Sequence, residues 1–268
     1  MPLSVLSRRG FGALAVVMGL AMAIPAAHAA DLKVGANIGN VPWEFQDASG
    51  AFVGFEVDLV NEVAKRLGKT VEIENIPFQG LFAAVQSGQI DMAVSSITIT
   101  EKRLASVSFA QPYYDSDQSL TVTAASGLKG LGDMQGKIVA VDTGSTGDIW
   151  ATENQAKYGF AEIRRFEGLN PAMLDLAAGR IDGYISDIPA LLYYSKDKPQ
   201  FAVVERIPTG EKYSIMFAKD APLAAQVNEQ LTALKNEGFI AALHEKWFGA
   251  KADASTTTVM VADMPKAK

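Results

Sequence analysis

The sequence predicts an α/β protein built as two similar lobes around one cleft. Strand-like and helix-like segments alternate along the chain, a ten-residue pattern recurs at an offset of 91 residues, and the carboxyl ends of both copies are polar. A length of 268 residues, 49% of them hydrophobic, suits one large or two small domains and excludes wholesale disorder.

The first thirty residues stand outside that pattern. Arg8 and Arg9 precede an uncharged apolar run from Phe11 to Ile24, and Ala27-His28-Ala29 is a small-x-small cleavage site. These are the three parts of a secretory signal, expected over residues 1–29. Fourteen apolar residues fall short of the roughly 20 that a helix needs to cross a bilayer. Ser7-Arg8-Arg9-Gly10-Phe11 also resembles the twin-arginine export pattern, with ordinary secretion the favoured route. Cleavage removes two arginines and no acid, so the net charge moves from −6 to −8. An exported acidic chain repels phosphate backbones, which argues against a nucleic-acid partner. Without any cysteine there is no disulfide, no thiolate metal site and no Cys-linked lipid. Free diffusion then implies an enclosed compartment, a periplasm.

Leu32 to Ala36 reads as a strand. Val60, Val63, Ala64 and Leu67 share one face of a helix over Glu56 to Leu67, closed by Gly68. Glu56 and Asp58 read as helix-start acids at the positive dipole end, not as a catalytic pair. Val71 to Ile73 alternates as a strand, Leu81 to Val85 suits a helix, and Asp91 to Ser95 suits a buried strand. The rhythm resumes with a strand over Lys137 to Val141, a helix over Ala172 to Ala178, a strand over Asp182 to Ser186 and a helix over Pro189 to Tyr194. Residues 221–247 read as mainly helical and 251–268 as a flexible tail. Largely parallel sheets are expected from this alternation.

In the repeat, Gly88-Gln89-Ile90-Asp91 through Ile97 aligns with Gly179-Arg180-Ile181-Asp182 through Ile188, and the same offset pairs Phe78 with Leu169. Ligands of open α/β sheets bind beyond the carboxyl ends of the strands. Those ends carry Ser95, Ser96 and Thr98 in one copy and Asp187 in the other. Arg103 adds a guanidinium fork suited to a carboxylate. A cation and an anion across one cleft suit a zwitterion, an α-amino acid. Ser145 and Thr146 follow the strand ending at Val141 and open a helix, where backbone N–H groups can cradle an anion. Each residue also has a structural reading: Arg103 as part of a solvated helix start, Asp187 as an N-cap, Ser145 and Thr146 as a plain turn, and Trp43 and Phe78 as core aromatics. His244 is the one histidine outside the leader, and no serine is placed beside it, so a hydrolytic triad lacks support. No metal site and no cofactor are expected.

Gly54-Phe55-Glu56-Val57-Asp58-Leu59 resembles the defining segment of the extracellular solute-binding proteins of family 3, the polar amino-acid binders of ABC transporters. Further matches run in family order: Ser95 to Arg103, Phe109 to Tyr114, Gly136 to Val141, and Lys246-Trp247-Phe248-Gly249. The resemblance implies the two-lobed type II periplasmic binding protein fold with a two-strand hinge. Lobe 1 would span 31–121 plus 215–250 and lobe 2 would span 122–214, with crossovers near Ser119 to Thr123 and Tyr213 to Ala218. It implies that Arg103 grips an α-carboxylate with help from the backbone near Thr98 and from Ser145-Thr146. Asp187 would take the α-ammonium with Ser96 and Thr98, and Phe78 would pack against the ligand side chain. It further implies closure of the cleft, docking on a membrane permease, a monomer and no catalysis; the alternative is a dehydratase of the cyclohexadienyl type on the same scaffold. Where relatives often carry Asp and an aromatic residue, this chain has Asn37 and Asn40, and Asp142 stands where they carry Lys or an aliphatic residue. The expected ligand is a neutral polar amino acid, with a basic one next.

Overall fold

The computed structural model describes Met1 and residues 30–267. Apart from Met1, the expected signal peptide lies outside the described residues. Among those residues no helix is long and apolar enough to cross a membrane.

The first lobe opens with β1 (Leu32–Ala36), a small hairpin of β2 (Phe45–Gln46) and β3 (Phe52–Val53), then α1 (Phe55–Arg66), β4 (Val71–Asn75), α2 (Phe78–Ser87), β5 (Met92–Ala93), α3 (Glu101–Leu104) and β6 (Val107–Phe109). The chain crosses on β7 (Tyr114–Thr123) into β8 (Ile138–Asp142), α4 (Thr146–Tyr158), β9 (Glu162–Phe166), α5 (Leu169–Ala177), β10 (Gly183–Asp187), α6 (Ile188–Ser195) and β11 (Phe201–Tyr213). It returns on β12 (Met216–Ala218) to α7 (Pro222–Asn236) and α8 (Phe239–Phe248).

Two five-stranded sheets result, ordered β4-β1-β5-β12-β6 and β11-β7-β10-β8-β9. Each is mixed rather than largely parallel. The βαβ units pair in parallel, whereas β12 runs antiparallel to β5 and β6, and β7 antiparallel to β10 and β11. These antiparallel strands are the ones that carry the chain between lobes. The two crossing strands pair with each other, β7 with β11 from Tyr114↔Tyr213 to Thr123↔Phe201.

Period-two alternation in β1 sends Leu32, Val34 and Ala36 to the core shared with α1, α7 and α8. Gly35 points the other way, and a Cβ there would strike Ile90 and Leu81 of the layer under α2. Gly54 caps α1 at φ 141°, where a Cβ would collide with the Trp43 carbonyl oxygen. Only glycine fits that approach.

The repeat is structural. Asp91 accepts from the Lys33 amide at 2.8 Å, and its equivalent Asp182 accepts from the Ile138 amide at 2.8 Å. Each carboxylate thus ties the start of its own strand to the neighbouring one. Gly88 and Gly179 both turn in the left-handed region just before these segments.

Residues 251–267 differ from the expected loose tail. Thr257 donates to Asp115 through its amide (2.7 Å) and hydroxyl (3.0 Å), and the Ala262 amide donates to Gln111 at 3.1 Å. The Met260 carbonyl accepts from the buried Lys235 ammonium at 2.9 Å. Asp115 also pairs with Lys212 at 2.6 Å, so this strap is fastened beside both crossing strands. Its polar composition hides its use as a source of partners for buried polar groups.

Candidate functional site

The carboxyl ends of β5, β8 and β10 and the first turns of α2, α4 and α5 converge between the sheets. One cavity is lined there by eleven of the twelve residues singled out from the sequence: Asn37, Asn40, Phe78, Ser95, Ser96, Thr98, Arg103, Asp142, Ser145, Thr146 and Asp187. Trp43 is the exception. It is fully buried, edge-on to Phe55, Tyr114 and Tyr213, and belongs to the core. Its proximity in sequence to Asn40 reflects a tight turn, in which Trp43 N–H donates back to the Asn40 carbonyl at 2.8 Å and the ring swings inward.

Arg103 sits on α3, whose N-cap Thr100 accepts from the Arg103 amide through its side chain. The guanidinium is nine-tenths buried, lies over the rings of Phe78 and Phe82 at 5.4 and 5.1 Å, and donates to the Thr98 carbonyl at 2.7 Å. A longer bond of 3.4 Å reaches the Gly144 carbonyl of the opposite lobe. Burial pulls its pKa down to about 10, opposed by the charges of Glu211 and Asp187, so it stays a cation at neutral pH.

Asp187 faces it from the end of β10. Ser96 Oγ donates to Oδ2 at 2.9 Å across the cleft, and Gln118 Nε2 donates to Oδ1 at 2.6 Å. Burial, then the nearby charge of Glu211, push its pKa up to about 7. Ser96 holds a left-handed backbone (φ 43°), a costly conformation for serine. It lets the Ser96 amide donate to Glu56 at 2.9 Å while the hydroxyl points at Asp187.

Asp142 closes the far end. Tyr184 Oη and Ser186 Oγ donate to its Oδ2 at 2.6 and 3.2 Å. Its Oδ1 is inaccessible to solvent and accepts no well-formed hydrogen bond, while the Gly168 amide helps to stabilise the carboxylate. Burial, supplemented by the charge of Glu167, raises its pKa to about 6. Glu167, Leu169 and Asn170 line the same end, beside Asn37.

Several members of the site are not evident from sequence. Glu44 is fully buried and accepts from Ser95 Oγ (2.8 Å) and Asn40 Nδ2 (3.1 Å), behind the cavity wall. It lies against Glu56, which accepts from Tyr113 Oη, and burial of this acid pair raises both pKa values. Glu56 is thus a buried support of the site and not merely a helix-start acid. Gln118 and Glu211 come from β7 and β11, and their polar-rich sequences give no sign of burial. Among the described residues no cluster of His, Asp and Glu is placed to hold a metal ion.

A polar, two-sided cleft between two α/β lobes joined by paired strands defines a solute-binding protein. The chain matches the model of bacterial extracellular solute-binding proteins, family 3, over residues 32–250, and it belongs to that family. It is 30% identical over 220 residues to the arginine-binding extracellular protein ArtP of Bacillus subtilis, covering 81% of this chain and 86% of that one. It is 29% identical over 213 residues to the L-cystine-binding protein TcyJ of Escherichia coli, covering 78% and 79%. The solved arginine-, lysine-, histidine-binding protein ArtJ of Geobacillus stearothermophilus superposes with a TM-score of 0.77 at 33% identity, over 83% of this chain and 97% of that one. These relatives are named as binding proteins, and this chain is a binding protein rather than an enzyme.

Proposed function

We propose that the protein captures an L-amino acid with a cationic side chain in the periplasm and delivers it, as a monomer, to the permease of an ABC importer. The observation that carries the side-chain class is the pair of acids, Asp142 and Glu167, on the wall at the far end of the cavity, with the buried Oδ1 of Asp142 accepting no well-formed hydrogen bond. A buried carboxylate oxygen without a donor is costly unless a ligand supplies one. A guanidinium or ammonium supplies it together with the opposite charge. This moves the reading from a neutral polar ligand, favoured by the sequence, to a basic one. Relatives that bind arginine, and arginine, lysine and histidine, support the same class.

In this reading Arg103 and the N-terminal turn of α4 at Ser145 and Thr146 take the α-carboxylate, and Asp187 with Thr98 takes the α-ammonium. Phe78 stacks on the aliphatic stem. Hydrogen bonds already cross the cleft from Ser96 to Asp187 and from Arg103 to Gly144. A ligand bridging the same elements favours the closed pair of lobes by its differential contacts.

The test is a thermal-shift screen of refolded mature protein against arginine, lysine, ornithine, histidine, cystine, citrulline, glutamine, glutamate and prephenate, followed by calorimetry of the hits. A ligand at one hundred times its dissociation constant adds about 2.7 kcal/mol of stability. Shifts confined to cationic amino acids are expected, and abolished by Arg103→Ala. A response to glutamate or glutamine alone would refute the side-chain class. A response to prephenate alone would replace amino-acid capture with the dehydratase alternative.

A further inference from the structure

Behind Asp187 lies a second acid that the roles above do not use. Glu211 is on β11, 5% exposed, with no cation within ion-pairing distance among the described residues. Its Oε2 accepts from Thr98 Oγ1 at 2.7 Å, and its Oε1 accepts from Gln118 Nε2 at 3.0 Å. The same Gln118 nitrogen donates to Asp187 Oδ1 at 2.6 Å and contacts Thr146 Oγ1 at 3.3 Å. One amide nitrogen thus bridges a buried carboxylate, Glu211, and a half-buried one, Asp187.

This has a definite chemical effect on Thr98. A hydroxyl has one proton and two lone pairs. The proton of Thr98 is committed to Glu211, so its oxygen can only accept from whatever occupies the cavity. An acceptor beside Asp187 suits an ammonium and opposes a carboxylate. We infer that Glu211 is a positioning residue that fixes which end of the cleft receives the cationic end of the ligand: it orients Thr98 as an acceptor and, with Gln118, makes the Asp187 end a two-carboxylate site for an α-ammonium. The inference rests on the amino-acid reading given above and adds to it a residue on the crossing strand.

The groups facing this pair are Asp187 from β10, Arg103 from α3, Thr98 from the loop after β5, Thr146 from α4, and Tyr213 from the end of β11, whose hydroxyl donates to Ser116 at 2.7 Å and lies near Asp187. Arg103 is the one cation among them, and its charge is reinforced by both Glu211 and Asp187. The charge of Glu211 also holds the Asp187 proton more tightly. Below about pH 7 an incoming ammonium must displace that proton, and above it Asp187 is charged.

Glu211→Gln keeps the shape and an acceptor while removing the charge, and Glu211→Ala controls for packing. Calorimetry compares each with the wild type for arginine and for its des-amino analogue, 5-guanidinopentanoate, from about pH 5.5 to 8.5. Carbon-13 detection of the Asp187 carboxyl follows its titration in the ligand-free protein. At about pH 8, Glu211→Gln is expected to weaken arginine about tenfold and the des-amino analogue by less than about twofold. The Asp187 midpoint should fall from about 7, and the affinity for arginine should reach its plateau at lower pH than in the wild type. Equal losses for both ligands in Glu211→Gln, or an unchanged Asp187 midpoint, would overturn the assignment while wild-type binding of arginine leaves the amino-acid reading standing. Failure of the wild type to bind any amino acid would overturn both.

Discussion

Asp142→Asn isolates the charge at the side-chain end of the cleft. The amide can keep an acceptor for Tyr184 and Ser186 at the position of Oδ2, which places its NH2 group at the position of Oδ1. A cationic ligand then loses a charge-assisted acceptor and meets a donor. A hydrogen bond to a charged group contributes about 1.5–3 kcal/mol. At about 1.4 kcal/mol per tenfold, that is a loss of about 10- to 150-fold in affinity. Citrulline, which has the shape of arginine without its charge, should change by less than about threefold. Calorimetry with both ligands at about pH 8, where a carboxyl with a pKa of about 6 is ionised, gives the comparison. Equal losses for arginine and citrulline would refute the reasoning, since they would show that the substitution disturbs the shape of the pocket rather than its charge.

Two further outcomes concern stability. Asp142 and Asp187 keep protons to about pH 6 and 7, and Glu44 and Glu56 are likewise raised by burial, whereas the unfolded chain releases these protons near pH 4. These four groups therefore bind more protons in the folded state in that window, and their contribution to stability falls as pH rises from about 4 to 7. The melting temperature of the ligand-free protein should be higher at about pH 5.5 than at about pH 8, by calorimetric scan; a flat or rising profile would contradict the burial of these acids. Removing residues 251–268 takes one of three acceptors from the buried Lys235 ammonium and two donors from Asp115. Losing a partner of a buried charged group costs about 1–3 kcal/mol, so the truncated chain should melt several degrees lower; an unchanged melting temperature would show that the strap contributes nothing.

The parts of the site that can be read from sequence share one property. Ser95, Ser96, Thr98, Asp187, Ser145 and Thr146 all lie where an apolar strand gives way to polar residues, and in open α/β sheets that junction is where ligands bind. Arg103 and Phe78 follow at the next helix start. What escapes sits on β7 and β11. Gln118 and Glu211 belong to segments such as Asp115-Ser116-Asp117-Gln118-Ser119 and Thr209-Gly210-Glu211-Lys212, whose composition reads as solvated. They are buried because the two crossing strands are covered by both lobes at once, a non-local fact that no local periodicity records. The same holds for Glu44, whose burial depends on Ser95, fifty-one residues away. The tail is misread for the complementary reason. Its small polar residues fit a loose end, but Lys235, Gln111 and Asp115 need partners, and the strap supplies them.

The bond from Ser96 to Asp187 joins residues 91 apart, which is the spacing of the repeat itself. Phe78 and Leu169, equivalent by the same spacing, line the same cavity. The strand order β4-β1-β5-β12-β6 matches β9-β8-β10-β7-β11 copy for copy, and these contacts between counterparts put the cleft where the two copies meet. Two identical copies would offer a ligand two identical halves. A zwitterion has no such symmetry. At this contact the likeness is broken by serine in the first copy and aspartate in the second, and at the same offset Arg103 of the first copy has Tyr194 in the second. These departures from self-similarity give the cleft a cationic end and an anionic end, which two identical copies could not provide.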